Sequence, residues 1–147
     1  MTIQEEQDKI IEEFAILEGD QEMTNFYIME LGQKLPIMNS SDQTDENLVK
    51  GCQSKVWLKS ENNDGLIRFH ADSNTAITKG LVSLLVRVLS NQPANEILKA
   101  EIYFPDKIGM SRFIGTQRSN GFAAMIKQMK LEALAHSAIA EKRINVK

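Results

Sequence analysis

The sequence is poor in the residues that cross-link chains or hold metals: its 147 residues include one cysteine, Cys52, and two histidines, His70 and His136. One cysteine excludes an internal disulfide framework. The three residues together fall short of the four Cys and His ligands of a structural zinc site, and one cysteine is too few for an iron–sulfur cluster held within one chain. No glycine-rich phosphate loop and no metal-ligand spacing occurs. Long apolar runs are missing too: the richest stretch, Gly80 to Leu89, is interrupted by Ser83 and Arg87 and is too short to span a bilayer. An excess of positive charge is also lacking, and a net charge of −3 weighs against a nucleic-acid partner. The opening residues Met1 to Asp8 are acidic, the wrong sign for a secretory or transit signal, so the expected setting is reducing and cytoplasmic.

What is present suffices for one ordinary domain over residues 1–147, with 42% hydrophobic residues to build a core. Ile3, Ile10, Phe14 and Leu17 form a helical stripe ending at Gly19, and Asp20 is a natural N-cap for a second helix from Gln21 to Lys34. That helix is expected to bury Met23, Phe26, Tyr27 and Leu31, and Pro36 ends it. Asn39 to Asn47 holds no apolar residue and reads as a solvated connector.

From Ser54 the period changes to two. Lys55–Ser60 and Leu66–Ala71 read as the strands of a hairpin around Asn62-Asn63-Asp64-Gly65, with Val56 and Leu58 on one face and Trp57 on the other. Asp72-Ser73-Asn74-Thr75 reads as a capping cluster before a largely apolar helix from Thr75 to Leu89, in which Gly80 suggests a close approach of another backbone. A short helical turn follows at Ala94 to Leu98, and Ala100 to Phe104 is predicted as a third strand stopped by Pro105. Lys107 to Gly115 reads as irregular. A last helix from Thr116 to about Lys142 is expected to bury Phe122, Met125, Ile126, Met129, Ala133 and Ala138. The order predicts an α+β domain with a small, mainly antiparallel three-stranded sheet covered by helices.

Cys52 is the candidate for chemistry. Free cysteine is often an inert buried hydrophobe. Here its neighbours Gly51, Gln53 and Ser54 are not core residues, Gly51 offers a hinge, and Lys50 and Lys55 flank the thiol with charge that favours the nucleophilic thiolate. The residues leave both readings open. His70 on its strand is the one candidate base for a Cys/His dyad, while His136 reads as a plain helix residue. A thiol without a base suits attack on sulfur, as in thiol–persulfide exchange. Asp72-Ser73-Asn74 has a plain reading as a helix cap. Arg118, at the head of the last helix, stands at the wrong end for the helix dipole, which points it toward a partner or an acidic group unless it is an ordinary surface arginine.

Gly51-Cys52-Gln53-Ser54-Lys55-Val56-Trp57 resembles the active-cysteine signature of the SufE family of sulfur acceptors. Three more blocks resemble family motifs in the family's order: Phe26 to Pro36, Ala71 to Leu81, and Arg118 to Ile126. Together they cover the chain from about Met23 to the last helix. The resemblance implies a SufE/IscU-like fold and a non-enzymatic persulfide carrier that binds no cofactor itself. It would take sulfur onto Cys52 from a pyridoxal-phosphate cysteine desulfurase of SufS or CsdA type. It would also stimulate that enzyme and relay the sulfur to an iron–sulfur scaffold. The single cysteine favours carrier over scaffold. The site so expected has Cys52 as persulfide-carrying nucleophile, Gly51, Gln53, Ser54 and Asp72 in support, and Arg118 and Asn74 toward the partner, Asn74 standing where many members have an acid. Cys52 is expected to be shielded in the free protein and to swing out on docking. The implied partners are the desulfurase and the scaffold, without nucleic acid or membrane, and with a homodimer allowed. The alternatives are a cysteine-nucleophile enzyme acting on a small molecule through Cys52 and His70, and a purely structural interaction domain.

Overall fold

Thr2 opens the first helix with a capping box, its hydroxyl accepting from the Glu5 N–H while the Glu5 carboxylate accepts from the Thr2 N–H. In the computed structural model, which describes the backbone of residues 1–145 and side chains through residue 140, this helix is α1, Ile3–Ala15. The Asp20 carboxylate caps α2, Gln21–Gln33, as its sequence position predicts. The face that α2 buries matches the expected one only in part: Tyr27 and Leu31 are half-buried against the core. Met23 and Phe26 are exposed, and Thr24, Ile28 and Gly32 turn inward, at steps of four residues. The cause lies in α3, Ala76–Leu89. A Cβ added at Gly80 would meet the Ile28 carbonyl oxygen at 2.0 Å, and one at Gly32 would meet the Gly80 nitrogen at 2.7 Å. The two helices cross backbone against backbone, so small residues outrank large apolar ones at the contact. The close approach expected at Gly80 is thus present, and α2 is its source.

The hairpin is β1, Val56–Asn63, and β2, Leu66–Ser73, closed at Asp64 and Gly65, both with positive φ. Val56 pairs with Ser73 and Leu58 with Ala71, which puts Val56, Leu58, Ile67, Phe69 and Ala71 on the core face as the alternation predicts. The sheet has three strands in the order β1-β2-β3, but β3 is Gln92–Pro93, antiparallel to β2. The strand predicted at Ala100–Phe104 does not form. Gln7 of α1, buried, donates its side-chain amide to the Glu101 carbonyl and accepts from the Tyr103 and Phe104 N–H groups. These bonds satisfy the backbone groups that a strand ladder would have used.

Two short helices, α4 (Ala94–Lys99) and α5 (Phe104–Ile108), lead into α6, Met110–Asn145. The stretch read as irregular is therefore largely helical. Gly115, at φ 81° and ψ 172°, interrupts α6, so its long regular run begins where the sequence places the last helix. Phe122, Met125, Met129 and Ala133 are buried on it as expected, whereas Ile126 is half-buried and Ala138 exposed. The core lies between α3, the inner face of the hairpin and α6, with α1 and α2 packed on α3.

Candidate functional site

Cys52 sits in a loop pinched at its base. Leu48 bridges Trp57, and the Val49 N–H donates to the Val56 carbonyl at 2.8 Å. The far end of the loop is clamped at Lys55. Its N–H donates to the Asn74 side-chain carbonyl at 3.0 Å, and its own carbonyl accepts from the Asn74 N–H and the Ser73 hydroxyl. Ser73 and Asn74 therefore hold the cysteine loop instead of capping α3, whose N-cap is Thr75. Gly51, at φ 94°, takes a conformation open to glycine, and a Cβ there would lie 3.3 Å from the Ala124 Cβ of α6.

Together these constraints lay the loop on α6. The half-buried Cys52 thiol donates to the Gly121 carbonyl at 3.4 Å, and a Cβ on Gly121 would itself lie 3.4 Å from Sγ. Beside the thiol is a cleft of about 100 Å³ with Leu81 and Met125 as apolar lining and Gln53, Ser54, Thr78, Gln117 and Arg118 as polar lining. Burial pushes the Cys52 thiol up from its ordinary pKa. The effect expected of Lys50 and Lys55 is not realised: both are exposed and neither lines the cleft, so charge does not offset the lost solvation.

Other predicted residues fall around this centre. Arg118 reaches the cleft and forms no ion pair among the described residues. Asp72 is buried outside it, accepting from Gln43 at 2.9 Å and from the Ser73 N–H, with Lys79 Nζ at 3.3 Å. It fastens the 39–47 segment to β2 and α3. That segment is more than a slack connector, since it forms short helical turns at Ser40–Asp42 and Asp45–Asn47 and its Asp42 pairs with Lys59. Asn74 spends its side-chain carbonyl on Lys55.

His70 is not brought to Cys52. Its ring lies against Glu61 at 3.2 Å and lines a different groove, of about 390 Å³, with Leu35, Ile37 and Arg68. His136 is more than a plain helix residue, because its Nε2 lies 3.0 Å from the Ser60 hydroxyl, which donates to Glu132 at 2.7 Å. The sequence reading missed Gln117 and placed Met125 in the core and Gly121 only in the Arg118 stretch, although their steps of four residues mark one helical face starting beside Arg118. It also missed Thr78, which a search for the polar residues of an otherwise apolar α3 would have found.

Fold and site define a small α+β domain that holds one half-buried thiol over a narrow cleft. Among the described residues no three His, Cys, Asp or Glu side chains converge to hold a metal ion, and no helix is long and apolar enough to cross a membrane. The domain profile described as "SufE: Fe-S metabolism associated domain" matches residues 8–133, and the chain belongs to the SufE family. It is 37% identical over 131 residues to an uncharacterized SufE-like protein of Rhizobium meliloti, covering 86% of this chain and 93% of that one. An uncharacterized SufE-like protein of Rhizobium etli is 35% identical over 136 residues, covering 89% and 91%. A hypothetical protein from Thermus thermophilus, solved in solution, has the same fold with a TM-score of 0.72 at 17% identity, over 88% of this chain and 94% of that one. Family membership associates the chain with iron–sulfur metabolism.

Proposed function

We propose that the protein is a sulfur acceptor for a pyridoxal-phosphate cysteine desulfurase of SufS or CsdA type, working in a reducing, cytoplasmic setting without being an enzyme itself. The observation that carries this reading is the placement of Cys52, a lone thiol on a glycine hinge, held against α6 with no base beside it among the described residues. The Cys52 thiolate attacks the terminal sulfur of a persulfide on the desulfurase. A bond forms between Cys52 Sγ and that sulfur, and the donor's S–S bond breaks. The desulfurase cysteine leaves as thiolate and takes up the proton that Cys52 gave up. The sulfur then passes by the same exchange toward an iron–sulfur scaffold.

Burial supplies the control. In the free protein burial raises the thiol pKa and lowers its reactivity. Docking that draws the loop off α6 returns the thiol to solvent, so exposure and activation occur in one step. Arg118 at the cleft rim, without an internal ion partner among the described residues, contributes the charge that meets the desulfurase. The test is desulfurase turnover with cysteine as substrate. The wild-type protein is expected to raise turnover and Cys52→Ser to leave it at the unstimulated rate; equal stimulation by both would overturn the reading.

A further inference from the structure

Thr75 is the N-cap of α3, yet its side chain makes no capping bond. A threonine there ordinarily accepts from the helix's first free N–H groups. Its hydroxyl instead lies 3.1 Å from the Ser54 hydroxyl, and the Thr78 hydroxyl lies 3.3 Å from the same oxygen. Three hydroxyls carry three protons, and two oxygen–oxygen contacts consume two of them. However the groups rotate, one proton is left without an acceptor among the described residues. With both threonines donating to Ser54, that proton sits on the half-buried Ser54 hydroxyl, at the cleft. Ser54 and Thr78 both line the cleft at Cys52.

We propose that the hydroxyl cluster of Ser54, Thr75 and Thr78 is a hydrogen-bond donor to the sulfur anion at Cys52, both as thiolate and as persulfide. The cleft otherwise offers that anion the exposed Arg118 and the exposed amides of Gln53 and Gln117, while Leu81 and Met125 offer no donor. Hydroxyls held by one another need little reorganisation when charge appears on sulfur, and in a partly desolvated cleft such a donor counts for more than in water. The persulfide half of the assignment rests on the sulfur-acceptor reading; the thiolate half does not.

The experiment uses the full chain and Ser54→Ala, Thr78→Val and Thr78→Ser. The ultraviolet difference spectrum against Cys52→Ser reads the thiolate through its titration. Loading with inorganic polysulfide, followed by intact-mass measurement over time, reads persulfide retention without any desulfurase. Ser54→Ala and Thr78→Val are expected to raise the thiol midpoint by about one pH unit, which is about tenfold less thiolate below the midpoint, and to shorten persulfide lifetime. Thr78→Ser keeps the hydroxyl and is expected to titrate as the native protein does. Ser54 is half-buried, so Ser54→Ala reports even where Thr78→Val fails to fold. Unchanged midpoints in folded Ser54→Ala, or a shift in Thr78→Ser as large as in Thr78→Val, would overturn the assignment. Shifted midpoints on a chain that polysulfide never loads would support the donor and count against the sulfur-acceptor reading alone.

Discussion

The Cys52 thiol donates to the Gly121 carbonyl at 3.4 Å, across 69 residues of sequence, and a Cβ on Gly121 would touch the same sulfur at 3.4 Å. A single position on α6 thus accepts the reactive group's proton and accommodates its loop. An alanine Cβ there would meet Sγ at ordinary contact distance, whereas the extra methyls of valine would crowd the loop. Overpacking costs about 1–3 kcal/mol, so Gly121→Val is expected to open the loop and speed alkylation of the free protein by roughly 5- to 150-fold. Gly121→Ala is expected to stay near the native rate, and thiol-labelling kinetics compare the two.

Gly80→Ala improves intrinsic helix propensity by about 1 kcal/mol and is nonetheless expected to destabilise the protein by about 2–4 kcal/mol. The added Cβ would lie 2.0 Å from the Ile28 carbonyl oxygen, and a rigid backbone cannot yield cheaply. Denaturant unfolding measures the loss.

Arg87 donates through Nε to Glu6 at 3.0 Å and through its terminal nitrogens to Glu13, tying α3 to α1. Its hydrogen bond holds the Glu13 carboxyl below the usual glutamate range, with the Tyr27 hydroxyl adding to the effect. A depressed folded-state pKa contributes stability that is present above the unfolded value and lost as pH falls through the folded one. Arg87→Met is therefore expected to cost about 1–3 kcal/mol at neutral pH, and to cost less in acid, flattening the acid limb of the stability curve. Unfolding midpoints across acid pH check the sign.

Arg118→Glu is expected to weaken desulfurase stimulation while moving stability by less than about 0.5 kcal/mol, because the side chain is exposed and forms no ion pair among the described residues. Turnover assays paired with thermal unfolding separate the two effects.

Much of this architecture was legible because local pattern and tertiary packing agree. The alternation from Val56 to Leu58 and from Ile67 to Ala71, the turn at Asp64 and Gly65, and the apolar α3 all fall where the residues put them. Where packing outranks pattern, local hydrophobicity misleads. Hydrophobicity favoured Met23 and Phe26 as the buried face of α2, but the crossing at Gly32 and Gly80 decides it. The stretch before Pro105 resembles a strand until Gln7, more than 90 residues away, satisfies its backbone. At the site, the motif marks Cys52 plainly. That Lys50 and Lys55 neighbour it in sequence says nothing of the cleft, which Gln117, Gly121 and Thr78 line instead.

The most direct measurement is the intact mass of the protein after incubation with cysteine and a cysteine desulfurase, in buffer free of reductant. The wild-type chain is expected to gain one sulfur, about 32 Da, located at Cys52 and removed by a thiol, while Cys52→Ser gains nothing. An unchanged wild-type mass beside an active desulfurase, or an equal gain on Cys52→Ser, would contradict the sulfur-acceptor account.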